Sequence, residues 1–181
     1  GGVRVTLAAA LGKARVRVQV DIGAGDDVVP SPQWSDFPTL LDMPKPRLRT
    51  YPRETVIAEK LHAIALLGMT NSRLKDYLDL WVLLERETLN AKTLAQAIAA
   101  TFIRRGMPIP TALPVGLTDE FAADLSRQAM WHAFLKKNEI AITPLSDVVT
   151  KLRAILKPAL VQAGTLSDTS RLLEIDKQDA S

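Results

Sequence analysis

Residues 51–84 read YPRETVIAEKLHAIALLGMTNSRLKDYLDLWVLL, and charged side chains sit there inside two otherwise apolar helical patterns. Pro52 suits a first helical turn, Glu54 the positive end of the helix dipole, and Gly68 stops the first helix. Val56, Ile57, Leu61, Ile64 and Leu67 recur at three- and four-residue spacing and form an apolar stripe. Lys60 lies on that stripe, four residues from Val56 and Ile64, so its stem is half buried and its ammonium runs along a protein wall. The second helix begins after Asn71 or Ser72, either of which can cap it. From Leu74 onward it is apolar nearly all round and must pack on several sides, yet it carries Arg73, Lys75, Asp76 and Asp79. Asp76 and Asp79 are one turn apart, as are Arg73 and Asp76, and Lys75 and Asp79 are at i,i+4. A buried carboxylate costs several kcal/mol unless paired, so partners are expected nearby.

Working outward, residues 3–22 read as a β-hairpin turning at Gly12, with Val16, Val18, Val20 and Ile22 alternating against Arg15, Arg17, Gln19 and Asp21. Asp21 falls on the polar face at the strand's far end, where a sheet can present a carboxylate to a metal; an ordinary turn aspartate is the plainer alternative. DIGAGDD is not a calcium loop, because Gly23 and Gly25 occupy ligand positions and Pro32 stands where a bidentate glutamate belongs. Residues 26–38 are expected as loop, tacked down by Trp34 and Phe37, with short strands at TLLDMP and RLRTY. Helices are expected over 91–105, 119–137 and 144–163, with a proline-rich connection over 108–114. Thr118 with Phe121, and Thr143 with Pro144, supply start signals.

Composition bounds the function. An apolar share of 47% supports a real core, and the many alanines and leucines favour helix. No run of eighteen apolar residues and no signal peptide is visible, which points to a soluble cytoplasmic protein with no membrane partner. With no cysteine there is neither a disulfide nor a thiolate site, and two distant histidines, His62 and His132, make zinc a poor reading. Walker, G-x-G-x-x-G and G-x-S-x-G motifs are missing. Tyr77, Trp81 and Trp131 have aliphatic neighbours and read as core. The charge of +3 fits a mixed solvated surface, although three basic clusters stand out. They are Lys45, Arg47, Arg49 and Arg53; Arg104 and Arg105; and Lys136 and Lys137. If they converge they suit phosphate-rich nucleic acid, although Arg104 and Arg105 could equally cap a helix.

EKLHAI followed by NSRLKDYLDLW resembles the AbiEii/AbiGii nucleotidyltransferase toxin family, whose later motifs are a lysine before leucine and R-x-K-D-x-x-D-L. The matching residues are Lys60, Leu61, Arg73, Lys75, Asp76, Asp79 and Leu80, and the likeness runs over roughly residues 13–160. The resemblance implies a polymerase-beta-type nucleotidyltransferase fold and a toxin of a two-gene toxin–antitoxin or phage-defence system. It implies nucleotide transfer from a nucleoside triphosphate, with magnesium, to RNA, namely the acceptor end of tRNA, and a cognate antitoxin as partner. By the same resemblance Asp21 is the carboxylate that holds metal and polarises the attacking hydroxyl, and Lys60 holds triphosphate. Asp76 orients Lys60, Arg73 or the acceptor. Arg73 faces phosphate or pairs with Asp76, Lys75 adds to nucleotide binding, and Asp79 is structural, paired with Lys75.

The family's early glycine-serine or glycine-threonine motif and D-x-D pair have no counterpart near Gly1, Gly2 and Val3, so the chain reads as the later two-thirds of such a protein, inactive alone. The expected architecture is α+β: part of a nucleotidyltransferase sheet over 1–51, a helical region carrying both motifs over 52–163, and a polar tail over 164–181 with the composition of a disordered segment. The rival reading is a non-catalytic helical interaction module whose charged motif only knits two helices or docks an antitoxin or nucleic acid.

Overall fold

The computed structural model of the chain describes residues 2–23, 25, 28–86, 88–141 and 143–179, with side chains except at 86 and 170–179. It is α+β, with small antiparallel sheets followed by a helical region. Strands β1 (Gly2–Leu11) and β2 (Ala14–Gly23) form the expected hairpin. Leu11 pairs with Ala14 around a two-residue turn, and Gly12 takes φ +59°, which only glycine adopts without strain. The register stacks Val3 on Ile22, Val5 on Val20, Leu7 on Val18 and Ala9 on Val16, giving one wholly apolar face. That face is uncovered among the described residues, with Val3 63% and Ile22 52% exposed.

The loop expected over 26–38 needs correcting. Gln33–Asp36 is a strand, β3, paired antiparallel with β4 (Arg47–Thr50), and Trp34 is exposed with the Arg47 guanidinium 5.8 Å above its ring. TLLDMP is not a strand; its residues bend, closed by a Thr39 hydroxyl bond to the Met43 carbonyl. The alternation that marks a strand is absent from TLLDMP, whereas Gln33–Asp36 gains its identity from pairing across the gap to RLRT. Asp26 and Asp27 lie outside the described residues.

Helix α1 (Arg53–Leu67) starts after Pro52 and ends at Gly68, whose N–H bonds the Ile64 carbonyl and whose φ of +49° turns the chain out of the helix. After a short 3-10 turn, Gly68–Thr70, Asn71 accepts the Arg73 N–H at 2.9 Å and α2 (Leu74–Arg86) begins. Helix α3 (Ala91–Arg104) is capped by Asn90, which accepts from the Thr93 N–H. The single helix expected over 119–137 is two, α4 (Asp119–Ala123) and α5 (Leu125–Lys137). Asp124 breaks it by taking an extended conformation and accepting the Arg127 N–H as a new cap, a role the hydrophobic pattern does not reveal. Helix α6 (Leu145–Asp179) continues well past 163, with Ala163 buried and Leu166 packed on the core, so the backbone is helical through most of the polar tail. Residues 180 and 181 lie outside the described residues.

The core is helical. Ile57, Leu61 and Ile64 of α1, Ile98 and Phe102 of α3, Tyr77 and Leu80 of α2, and Leu152 and Leu156 of α6 are fully buried. Tyr77 donates its hydroxyl to the Gly116 carbonyl at 2.9 Å and stacks on Phe121. A Cβ at Gly116 would stand 2.7 Å from both the Ile64 Cγ2 and the Tyr77 hydroxyl, so only glycine lets this segment approach. Gly116→Ala is expected to destabilise the fold by about 1–3 kcal/mol through overpacking, and Tyr77→Phe by about 0.5–1.5 kcal/mol through one lost hydrogen bond. Urea unfolding measures both, and an alanine variant as stable as the parent would contradict the close approach.

Candidate active site

The charged motif assembles where α1 and α2 meet. Seven residues of α1 are buried, and the helix thereby directs Lys60 toward α2. The Lys60 ammonium donates to Asp76 Oδ1 and to Asp79 Oδ2, each at 2.7 Å, and its side chain is only 17% exposed. Asp76 and Asp79 reach it together because residues three apart on a helix share a face. Lys75 donates to the same Asp79 oxygen at 2.7 Å from one turn away. Arg73 Nε stands 3.0 Å from Asp76 Oδ2, an ion pair without hydrogen-bond alignment, so that oxygen keeps free lone pairs among the described residues. Three cations therefore meet two carboxylates. Asp76 is buried and Lys60 and Asp79 are partly so, whereas Arg73 and Lys75 are 61% and 73% exposed.

Burial works to lower the Lys60 pKa, but the hydrogen bonds and charges of Asp76 and Asp79 outweigh it and the net shift is upward. For Asp79, burial works upward and is overcome by Lys60 and Lys75, which hold the carboxyl below its ordinary range. The ammonium and the Asp79 carboxylate are thus both charged across the neutral range. Asp76 lies in the first turn of α2.

Asp21 lies elsewhere. It is paired with Arg4 directly across the hairpin, with Nε to Oδ1 at 2.6 Å and Nη2 to Oδ2 at 3.1 Å. This bidentate contact holds the Asp21 pKa down. No hydrogen bond or ion pair joins Asp21 to the Lys60 network among the described residues, where no cluster of three or more carboxylate or imidazole groups occurs either. No protein cage of three or more such ligands is therefore present among the described residues. Of the basic clusters, Arg104 is engaged with the Gly25 carbonyl and Arg105 lies 3.9 Å from Glu59. His62 is a packing residue, edge-on to Phe102, and burial, then the nearby Arg105, keeps it neutral. Asn71, flagged only as a cap, is buried with its Nδ2 unbonded among the described residues, a position no spacing argument could show.

The pairing sets two expectations. Lys60→Met strands the buried Asp76 and should cost about 2–4 kcal/mol, whereas Lys75→Met, at the exposed rim, should cost less than about 1 kcal/mol. Equal, small losses in urea unfolding would make the network a surface feature. Because the Asp79 pKa is lowered on folding, its contribution is complete above the ordinary carboxylate value of about 3.9 and is lost as pH falls through the depressed folded value. Asp79→Asn should therefore flatten the acid limb of a stability-against-pH curve, and an unchanged limb would contradict the pairing.

Among the described residues no helix is long and apolar enough to cross a membrane. No curated protein and no solved structure matches the chain. The family model described as nucleotidyl transferase AbiEii toxin, Type IV TA system, matches residues 1–158 of the 181, a span that contains Asp21 and the whole Lys60 network. With the paired K-L and R-x-K-D-x-x-D-L residues joined in space as well as in sequence, the chain belongs to the AbiEii family of nucleotidyl transferase toxins of type IV toxin–antitoxin systems.

Proposed function

We propose that the protein transfers a nucleotide from a nucleoside triphosphate to an RNA acceptor, the acceptor end of tRNA, and that its cognate antitoxin restrains this activity. The observation that carries the reading is the Lys60 network: two carboxylates fix three cations, and the two outer cations point into solvent from a rigid helix junction. Transfer of a nucleotide needs cations that hold triphosphate and stabilise charge on the leaving pyrophosphate, and fixed cations do so without reorganising. In this assignment Arg73 and Lys75 meet phosphate. Lys60 reaches phosphate only by exchanging one of its carboxylates, and its main part is to hold Asp76 and Asp79 in place. Asp76 orients Arg73, and Asp79 orients Lys75. For Asp21, a role at a metal requires exchanging the Arg4 guanidinium for the ion. Magnesium belongs to the assay on family grounds, and an ion held by one or two carboxylates and substrate phosphates needs no cluster of three.

A second reading is favoured by the mutual satisfaction of these charges. The same ion pairs would arise if the network only joined α1 to α2 in a non-catalytic module that binds an antitoxin or nucleic acid. Kinetics separate the two. With labelled nucleoside triphosphates, magnesium and tRNA, the Arg73→Ala/Lys75→Ala variant should lose at least about 100-fold in kcat/KM while its melting temperature stays near the parent's, since two charge-assisted contacts of about 1.5–3 kcal/mol each are removed. Full transfer by the variant would remove the cations from the site. Absence of transfer by an unaltered protein that also carries the family's early glycine-serine or glycine-threonine motif and D-x-D pair would favour the interaction module.

A further inference from the structure

A cleft of about 440 Å³ opens at the N-terminal end of α1, where the β3–β4 sheet, the start of α1 and the first turn of α3 meet. Its size falls within the roughly 300–1,000 Å³ of small-molecule sites. Its lining carries Gln33, Ser35, Thr50 and Thr93 with two charged residues, Arg53 and Glu54. The Ser35 and Thr50 hydroxyls share a bond of 3.0 Å, and the Thr50 hydroxyl is also 3.3 Å from the Gln33 carbonyl, to which it donates. Glu54 makes no hydrogen bond or ion pair among the described residues. Tyr51, half exposed, presents its ring at the rim.

We propose that this cleft seats a ribonucleoside, its base against the Tyr51 ring and its 2′,3′-diol on the Glu54 carboxylate. The proposal rests on the reading of the protein as a nucleotide-transferring toxin and names where that reaction's nucleoside lies. Three features select this ligand class. The Glu54 carboxylate can accept both O–H donors of one vicinal diol, a contact that a free phosphate anion does not offer. A flat aromatic ring at the rim stacks on any base. Arg53, which also lines the cleft, precedes Lys60 by seven residues, about 10.5 Å along the axis and about 20° around it, so the cleft and the Lys60 network share one face of α1. Phosphates attached to a nucleoside in the cleft can therefore run along α1 toward the cations.

Both the incoming triphosphate and the terminal nucleotide of the RNA carry this nucleoside, and the test separates them. Tyr51→Ala and Glu54→Gln, two substitutions outside the buried core, are made in the protein, folding is checked by circular dichroism, and affinities for the four nucleoside triphosphates, the four nucleosides and tRNA are measured by calorimetry beside the transfer assay. Each variant is expected to weaken one class of ligand about tenfold, the ratio that corresponds to one lost stacking or diol contact. Weakened triphosphate binding with tRNA unchanged assigns the cleft to the incoming nucleotide, and the reverse assigns it to the acceptor end. Glu54→Gln should also narrow the preference for ribose over deoxyribose ligands. Transfer and binding at the parent's level in both variants overturns the cleft and leaves the proposed reaction standing. Nucleoside binding that both variants lose upholds the cleft, and, in a protein that carries the family's early motifs yet transfers nothing, overturns the reaction. Absence of all nucleoside, triphosphate and tRNA binding overturns both.

Discussion

The Lys60 ammonium, held at 2.7 Å by a carboxylate on each of two successive turns of α2, is the contact on which the rest of this helical region depends. Asp76 is almost wholly shielded from water, and an ionised group so placed costs several kcal/mol without a partner. The requirement for that partner fixes how α1 and α2 rotate about their axes. Once they are fixed, the remaining charges have little choice: Lys75 closes on Asp79, Arg73 closes on Asp76, and both cations are left at the surface. Burial works to lower the lysine's pKa, and the hydrogen bonds and charges of Asp76 and Asp79 outweigh it.

The charged junction and the core are one construction. Tyr77 follows Asp76 directly, so the turn of α2 that offers a carboxylate to Lys60 also sends a fully buried phenol to the Gly116 carbonyl on the other side. Gly116 in turn lies against Ile64, one turn beyond Lys60 on α1. A shift of α2 along or about its axis would break the ion pairs and the Tyr77 bond together. This is how an exposed pair of cations gains a rigid base, the condition under which fixed charge is useful to a phosphate-handling site.

Around this junction the chain presents two surfaces of opposite kind. The hairpin carries a continuous apolar face from Val3 to Ile22, uncovered among the described residues, and Arg104 ties its following loop to α3 through the Gly25 carbonyl. Helix α1 carries polar chemistry at two places, the hydroxyl-lined cleft at its start and the Lys60 network two turns on. Membership of a family of nucleotidyl transferase toxins gives the second surface its interest, because transfer of a nucleotide demands groups for both its neutral and its anionic parts.

What the amino-acid sequence determined by itself was local or periodic. The hairpin turn at Gly12, the bounds of α1 at Pro52 and Gly68, the Thr118 cap, and the need for partners around Asp76 all follow from backbone preference, helical spacing and the cost of burying charge. The K-L and R-x-K-D-x-x-D-L residues were legible because α1 and α2 are adjacent and joined by a short turn, which leaves few ways to pair them. Tertiary structure alone decided the rest. Strand β3 exists because RLRT pairs with it, and Asp21 is matched to Arg4 by hairpin register. The break at Asp124 turns on a cap that competes with helix continuation, and α6 runs past 163 through Ala163 and Leu166, which pack on the core. The cleft beside Glu54 gathers residues from 33 to 93, and no spacing rule joins positions that meet only when separate elements pack.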